Sequence, residues 1–258
     1  MKTLPRVIFY KHSILLLISV LLLKMSRAFT VASPRAKSYH LGATSFPAMS
    51  PDEIESWMSK VPVYAVTESG SGGVVLLKGG AGKEVCNFFT HVEEANKMMR
   101  AIQNANPKQD ENSMVVRPFF LGVIWFGLIF SCDNDNDDDR VEYRLVPSRN
   151  DLNDARDLSS SNPFATPFGD IPIFINWQLR IIDEEKEVLP LYLCLEDIQT
   201  ACGGFDSSSE YEIKVQDLKA LVTQMQKESN IDFRSSLLIP PIAEEGAAKK
   251  EKKERKQG

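Results

Sequence analysis

Acidic residues are absent from Met1–Pro51, although the 258-residue chain holds 35 of them against 30 Lys and Arg. An acid-free opening in a net-acidic protein marks a segment whose purpose differs from that of the rest. Histidine is scarce too, at three. His12 and His40 lie in that opening; His91 starts a helical pattern, where a surface residue is expected rather than a general base. No run reaches the roughly 20 apolar residues of a membrane-spanning helix. There is no GxSxG elbow, HExxH, P-loop or GxGxxG fingerprint. Gly70–Gly73 and Gly79–Gly82 lack a following GK[ST] and read as hairpin turns. Cys86, Cys132, Cys194 and Cys202 form no CxxC pair, and no His lies near them in sequence, so spacing suggests neither a zinc site nor dithiol redox chemistry. Buried structural thiols are expected, with two disulfides as the alternative. These absences point away from an enzyme and from any cofactor, metal or catalytic residue.

What the opening does contain is seven basic residues and the ten-residue run Ile14–Leu23, apolar but for Ser19, too short to span a bilayer but suited to the core of a signal peptide. Ser26-Arg27-Ala28 places a cleavage site before Phe29. Phe29–Pro51 is rich in Ser, Thr and Ala and keeps Arg35 and Lys37, the composition of a transit peptide. Residues 1–28 thus read as signal peptide and 29–50 as plastid transit peptide. The pair resembles the bipartite leaders of algae with complex secondary plastids, where an aromatic follows the signal cleavage site. A secreted protein with a short N-terminal extension is the alternative.

Between Asp52 and Gly246 lie 17 basic residues against 33 acidic ones, a net charge of about −16. Such a surface disfavours nucleic acid and favours cationic partners. Residues 242–258 form a basic tail. Lys249–Lys256 reads as a solubilising segment, with peripheral membrane contact at roughly 1 kcal/mol per base as the alternative. Asp133–Asp139 resembles the start of a calcium loop but has Asp138 and Arg144 where an EF-hand needs Gly and Glu. A solvated loop between strands is expected.

Ser50-Pro51-Asp52-Glu53 is a capping box with Pro in the first turn, and Ile54, Trp57, Met58 and Val61 follow at helical spacing. Strands are expected at Val61–Val66, Val74–Leu77, Val85–Phe89 and Val141–Val146. A second capping box at Thr90–Glu93 opens a helix burying Val92, Ala95, Met99 and Ile102. Phe119–Phe130, twelve residues interrupted by Gly122 and Gly127, reads as buried strand, and a helix carries Leu152, Ala155 and Leu158. The order then repeats. Ile171–Ile175 matches Val61–Ala65, Leu179–Ile182 matches the second strand, and Leu189–Leu195 with its following helix matches Val85–Phe89. Tyr211–Val215 precedes a helix with Leu218, Leu221, Val222 and Met225, and Leu237–Pro240 matches Arg144–Pro147. The expected fold is α/β (α+β), with two pseudo-symmetric halves, 51–158 and 168–241, sharing one mixed sheet flanked by helices, because each half alone is small for a core.

VPVYAV, VCNFFTHVEEA, RLVPSRNDLNDA, GDIPIF, LPLYLCLEDIQTA and SLLIPP, spanning Glu53–Pro241, resemble the twenty-two-kilodalton component of the translocon at the inner envelope membrane of chloroplasts. The resemblance implies a chaperone-like protein of the plastid envelope intermembrane space that has no cofactor and acts in protein import. Its implied partners are unfolded preproteins with basic transit peptides and other translocon subunits. Apolar grooves are part of the resemblance. Candidate linings are Phe119, Phe120, Trp125, Phe126 and Phe130 in one half, with Ile171, Ile173, Phe174, Trp177 and Tyr192 in the other. A structural bridge of the translocon and a secreted α/β ligand-binding module are the alternatives.

Overall fold

The computed structural model describes residues 30–31, 45–79, 83–107, 110–129, 141–159, 164, 170–203 and 212–242. The Asp133–Asp139 acidic segment, Phe130, Cys132, Tyr211, the signal-peptide segment 1–28 and the tail after Ile242 lie outside the described residues. None of the described helices is long and apolar enough to cross a membrane.

The first half runs α1 (Pro51–Met58), β2 (Pro62–Glu68), β3 (Leu77–Lys78), β4 (Glu84–Phe89), α2 (Val92–Ala105), β5 (Met114–Phe120), α3 (Leu121–Ile124) and β6 (Glu142–Val146). It is preceded by the two-residue strand β1 (Thr30–Val31). The second half runs α4 (Arg149–Leu158), β7 (Pro172–Ile175), β8 (Ile181–Asp183), β9 (Lys186–Tyr192), α5 (Leu195–Ala201), β10 (Lys214–Asp217), α6 (Leu218–Met225) and β11 (Ser236–Ile239).

Element by element the two halves match. In each, a central strand (β4 or β9) takes a parallel partner on one side, β6 or β11. On its other side it takes two antiparallel partners, β3 and β2 or β8 and β7. The last strand, β5 or β10, then pairs antiparallel with β2 or β7. The α/β class and the internal duplication agree with the sequence. Two details differ. The helix carrying Leu152 heads the second half, where it stands as α1 does in the first. The halves also do not share one sheet: each has its own, of five and six strands.

What they share is a core. One face of the first sheet (Val63, Ala65, Cys86, Phe88, Leu145) packs with one face of the second (Ile173, Ile175, Leu189, Leu191), and α1, α3 and α6 fill the same cluster. The alternation of strand side chains leaves each sheet a second apolar face. α2 covers that of the first with Ile102, Met98 and Met99 against Val66, Val75 and Met114. α4 and α5 cover that of the second with Leu152, Ala155 and Ile198 against Phe174, Ile181, Tyr192 and Ile239. Packing through a common core answers the size problem that a shared sheet was expected to solve.

The capping box of α1 forms as the sequence predicts: Glu53 N donates to Ser50 Oγ at 3.2 Å and Ser50 N to Glu53 Oε2 at 2.8 Å. Trp57 Nε1 on this helix donates across the halves to Ser236 O of β11 at 3.0 Å. The chain before α1 is already packed. Phe46 exchanges backbone hydrogen bonds with Ser229, and Met49 is buried with its N–H on Met225 O.

Two local expectations are corrected. The Phe119–Phe130 run is not one strand: β5 ends at Phe120, α3 follows, and Trp125–Ile129 continues as a π-helical turn. Gly122 explains the break, because a Cβ there would overlap Glu55 O and Ser59 Oγ of α1. Only glycine lets α3 lie that close to the α1 backbone. At α2 the N-cap is His91, with no side-chain cap bond. Thr90 instead turns its hydroxyl to His91 Nδ1 at 3.0 Å.

Candidate functional site

The apolar residues expected to line grooves fall into two groups. Trp125, Ile171, Ile173, Phe174 and Tyr192 are all at most 5% exposed. Trp125, Ile171 and Ile173 belong to the central core, and Phe174 and Tyr192 lie on the opposite face of the second sheet under α4 and α5, so their assignment to an open groove is corrected. Phe119, Phe126 and Trp177 are half-buried against the rim of the central cluster, together with Leu128 and Ile129. Phe119 meets Phe88 edge-on, with ring centroids 5.5 Å apart. Phe120 is half-buried in β5, and Val123 on α3 is 42% exposed. The corner where β5 turns into α3 therefore presents apolar surface at the mouth of the shared core. Trp125 Nε1 is buried there without a hydrogen-bond partner, which costs about 1–3 kcal/mol for an unmet donor. A π-helical turn is an uncommon geometry, often found at functional positions.

Sequence reasoning missed a second constellation. The β4–α2 and β9–α5 junctions are equivalent in the two halves, and they place His91 and Cys194 at the N-caps of α2 and α5. The first turn of α4 brings Asp151 against both. His91 Nε2 lies 3.3 Å from Asp151 Oδ2, and one ligand atom from each of the three residues falls within 4.8 Å of the others. Asp151 is buried, and Ser148 Oγ donates to its Oδ2 at 2.5 Å. Burial pushes the Asp151 carboxyl above the usual carboxylate range, while His91 and the hydrogen bonds from Ser148 and Cys194 pull it down. Burial first, then the Asp151 charge, pushes the Cys194 thiol up to about 12. An activated nucleophile needs the opposite shift. His91, expected at the surface, is instead half-buried against Asp151. The three residues lie far apart in sequence; the signal available was the alignment of His91 with Cys194 at matching ends of β4 and β9.

Cys86 and Cys202 are buried free thiols and Cys194 is half-buried. A third feature is a clamp: Arg234 donates to Glu53 Oε1 and Oε2 at 2.8 and 3.0 Å and to the carbonyls of Pro47 and Ala48 at 2.9 and 3.0 Å. It ties the entering chain and the start of α1 to the second half.

Comparison with known proteins bears on this architecture. The solved structure described as Tic22 from Plasmodium falciparum superposes with a TM-score of 0.59 at 18% identity, covering 80% of this chain and 98% of that one. Anabaena Tic22, described as a protein-transport protein, gives 0.58 at 19% identity, covering 78% and 97%. At such identities these two likenesses speak for the fold. The Arabidopsis thaliana protein described as TIC 22-like, chloroplastic, is 21% identical over 203 residues, 75% of this chain. The match takes in 62% of that relative's own length. The model of the Tic22-like family matches residues 8–251, and the chain belongs to that family.

Proposed function

We propose that this protein is a component of plastid protein import, acting in the envelope intermembrane space as a chaperone-like binder of preproteins. The carrying observation is the β5–α3 corner, where Val123 is exposed and Phe119, Phe120 and Phe126 are only half-buried at the edge of the common core. Exposed apolar surface on a folded domain is a site for another polypeptide. Family membership supports the import assignment, as does a relative described as chloroplastic. The leader supports the route, with residues 1–28 acting as a signal peptide and the following segment as a transit peptide.

Charge supplies the second half of the mechanism. A body of about −16 attracts cationic segments, and transit peptides are basic and acid-poor, as this chain's own leader is. The acidic surface gathers the targeting segment, and the apolar corner holds the unfolded stretch behind it. Other translocon subunits take over the client. No catalysis enters this scheme.

The test has two arms. The protein without its leader, at equimolar dose, should slow aggregation of a denatured client, and Phe126→Ser should weaken that effect without unfolding the domain. Loss of the effect with retained capture of translocon subunits would favour a structural bridge. A fluorescent protein fused behind Met1–Pro51 should reach the plastid; secretion of the fusion would sink the assignment.

A further inference from the structure

His91, Asp151 and Cys194 combine an imidazole, a carboxylate and a thiol, three donor types suited to one borderline cation. Helix N-caps are usually Ser, Thr, Asp or Asn, yet α2 and α5 carry His91 and Cys194 there; His91 makes no side-chain cap bond, and the Cys194 sulfur faces the backbone N–H groups of Glu196 and Asp197. Both lie within reach of Asp151, which comes from a third element, and the three ligand atoms fall within 4.8 Å of one another. The 3.3 Å between His91 Nε2 and Asp151 Oδ2 is close to the separation of two tetrahedral ligands each about 2.0–2.1 Å from zinc.

The outer contacts are those of a metal site as well. His91 Nδ1 engages Thr90 Oγ1 at 3.0 Å, which fixes the ring and leaves Nε2 for a ligand bond. Thr90 is itself buried, and the Ser148 hydroxyl holds the Asp151 carboxylate. We propose that His91, Asp151 and Cys194 bind one zinc ion at the seam between the halves. The thiol proton leaves to solvent as sulfur coordinates. Water supplies the fourth ligand. Bound zinc joins the β4–α2 and β9–α5 junctions to α4 and so staples the two halves.

The test uses the full chain, reduced, stripped with a chelator and titrated with cobalt(II). One equivalent should give visible bands of a tetrahedral centre and a thiolate-to-cobalt charge-transfer band, and zinc should displace both. Cys194→Ser should abolish the charge-transfer band, and His91→Ala should weaken cobalt binding at least tenfold. Cys86→Ser, Cys132→Ser and Cys202→Ser should leave the spectrum unchanged. Zinc should raise the unfolding temperature of the parent protein and not that of Cys194→Ser. Absence of the charge-transfer band in folded parent protein would overturn the proposal. So would a band that survives Cys194→Ser, including one that follows Cys132 beside the Asp133–Asp139 segment. If Cys194→Ser fails to fold, His91→Gln serves in its place: an unchanged cobalt affinity there would also overturn it.

Discussion

Gly122 decides how closely the first half can pack. Its place against Glu55 O and Ser59 Oγ leaves no room for a methyl group, and the neighbours on α1 are backbone and a short side chain that cannot swing away. Gly122→Ala should therefore cost about 1–3 kcal/mol through overpacking, read as a lower urea midpoint with an unchanged far-ultraviolet spectrum. Gly127 meets nothing within 4 Å, so Gly127→Ala is the matched control. In the sequence both glycines look like interruptions of an apolar run; only the partner backbone separates them. His91, Asp151 and Cys194 were hidden for a related reason. Ligand spacing is visible when ligands share a loop, and here the fold assembles them from three elements.

At the scale of elements, α1 was the most legible, because Ser50, Pro51 and Glu53 announce a helix start by local chemistry alone. The β5–α3 boundary was the least legible, since a run with no polar residue has no period to tell strand from helix. The clamp on α1 was invisible, as it depends on Arg234, which arrives from the far end of the chain. Arg234 holds the exposed Glu53 carboxyl down to about 2 from the ordinary 4.5, first by hydrogen bonding and then aided by Ser50 N–H. A carboxylate with a lowered folded-state pKa stabilises the fold while ionised. That contribution is present above pH 4.5 and is lost as pH falls towards 2. Arg234→Ala should flatten this part of the acid-unfolding profile, followed by tryptophan fluorescence. The same clamp, with Phe46 and Met49, makes the chain before α1 part of the fold. Mass spectrometry of the processed protein should find its N-terminus before Phe46, and a cut at Pro51 should leave a measurably less stable domain.

At the scale of the whole molecule, the duplication was written in the order of strand and helix patterns, and the topology repeats it strand for strand apart from β1, which adds to β8. Which sheets form was not, because a pattern of buried faces does not say whether two faces meet within one sheet or across a core. The answer, two sheets over one cluster, makes the halves interdependent. Expressed separately as residues 45–147 and 148–242, each should lack a cooperative thermal transition, whereas the intact body should unfold in one step by both fluorescence and circular dichroism. Two separate transitions in the intact body would show independent domains. The account's central claim concerns what this unit holds: an acidic body of about −16 that captures basic, acid-poor targeting segments. Its most direct test is the affinity of the body for a peptide of residues 29–45 across ionic strength. Attraction between exposed charges is largely screened beyond about 10 Å at 0.1 M salt. The account predicts affinity that falls steeply as salt rises towards and past that value; affinity that stays flat would contradict it.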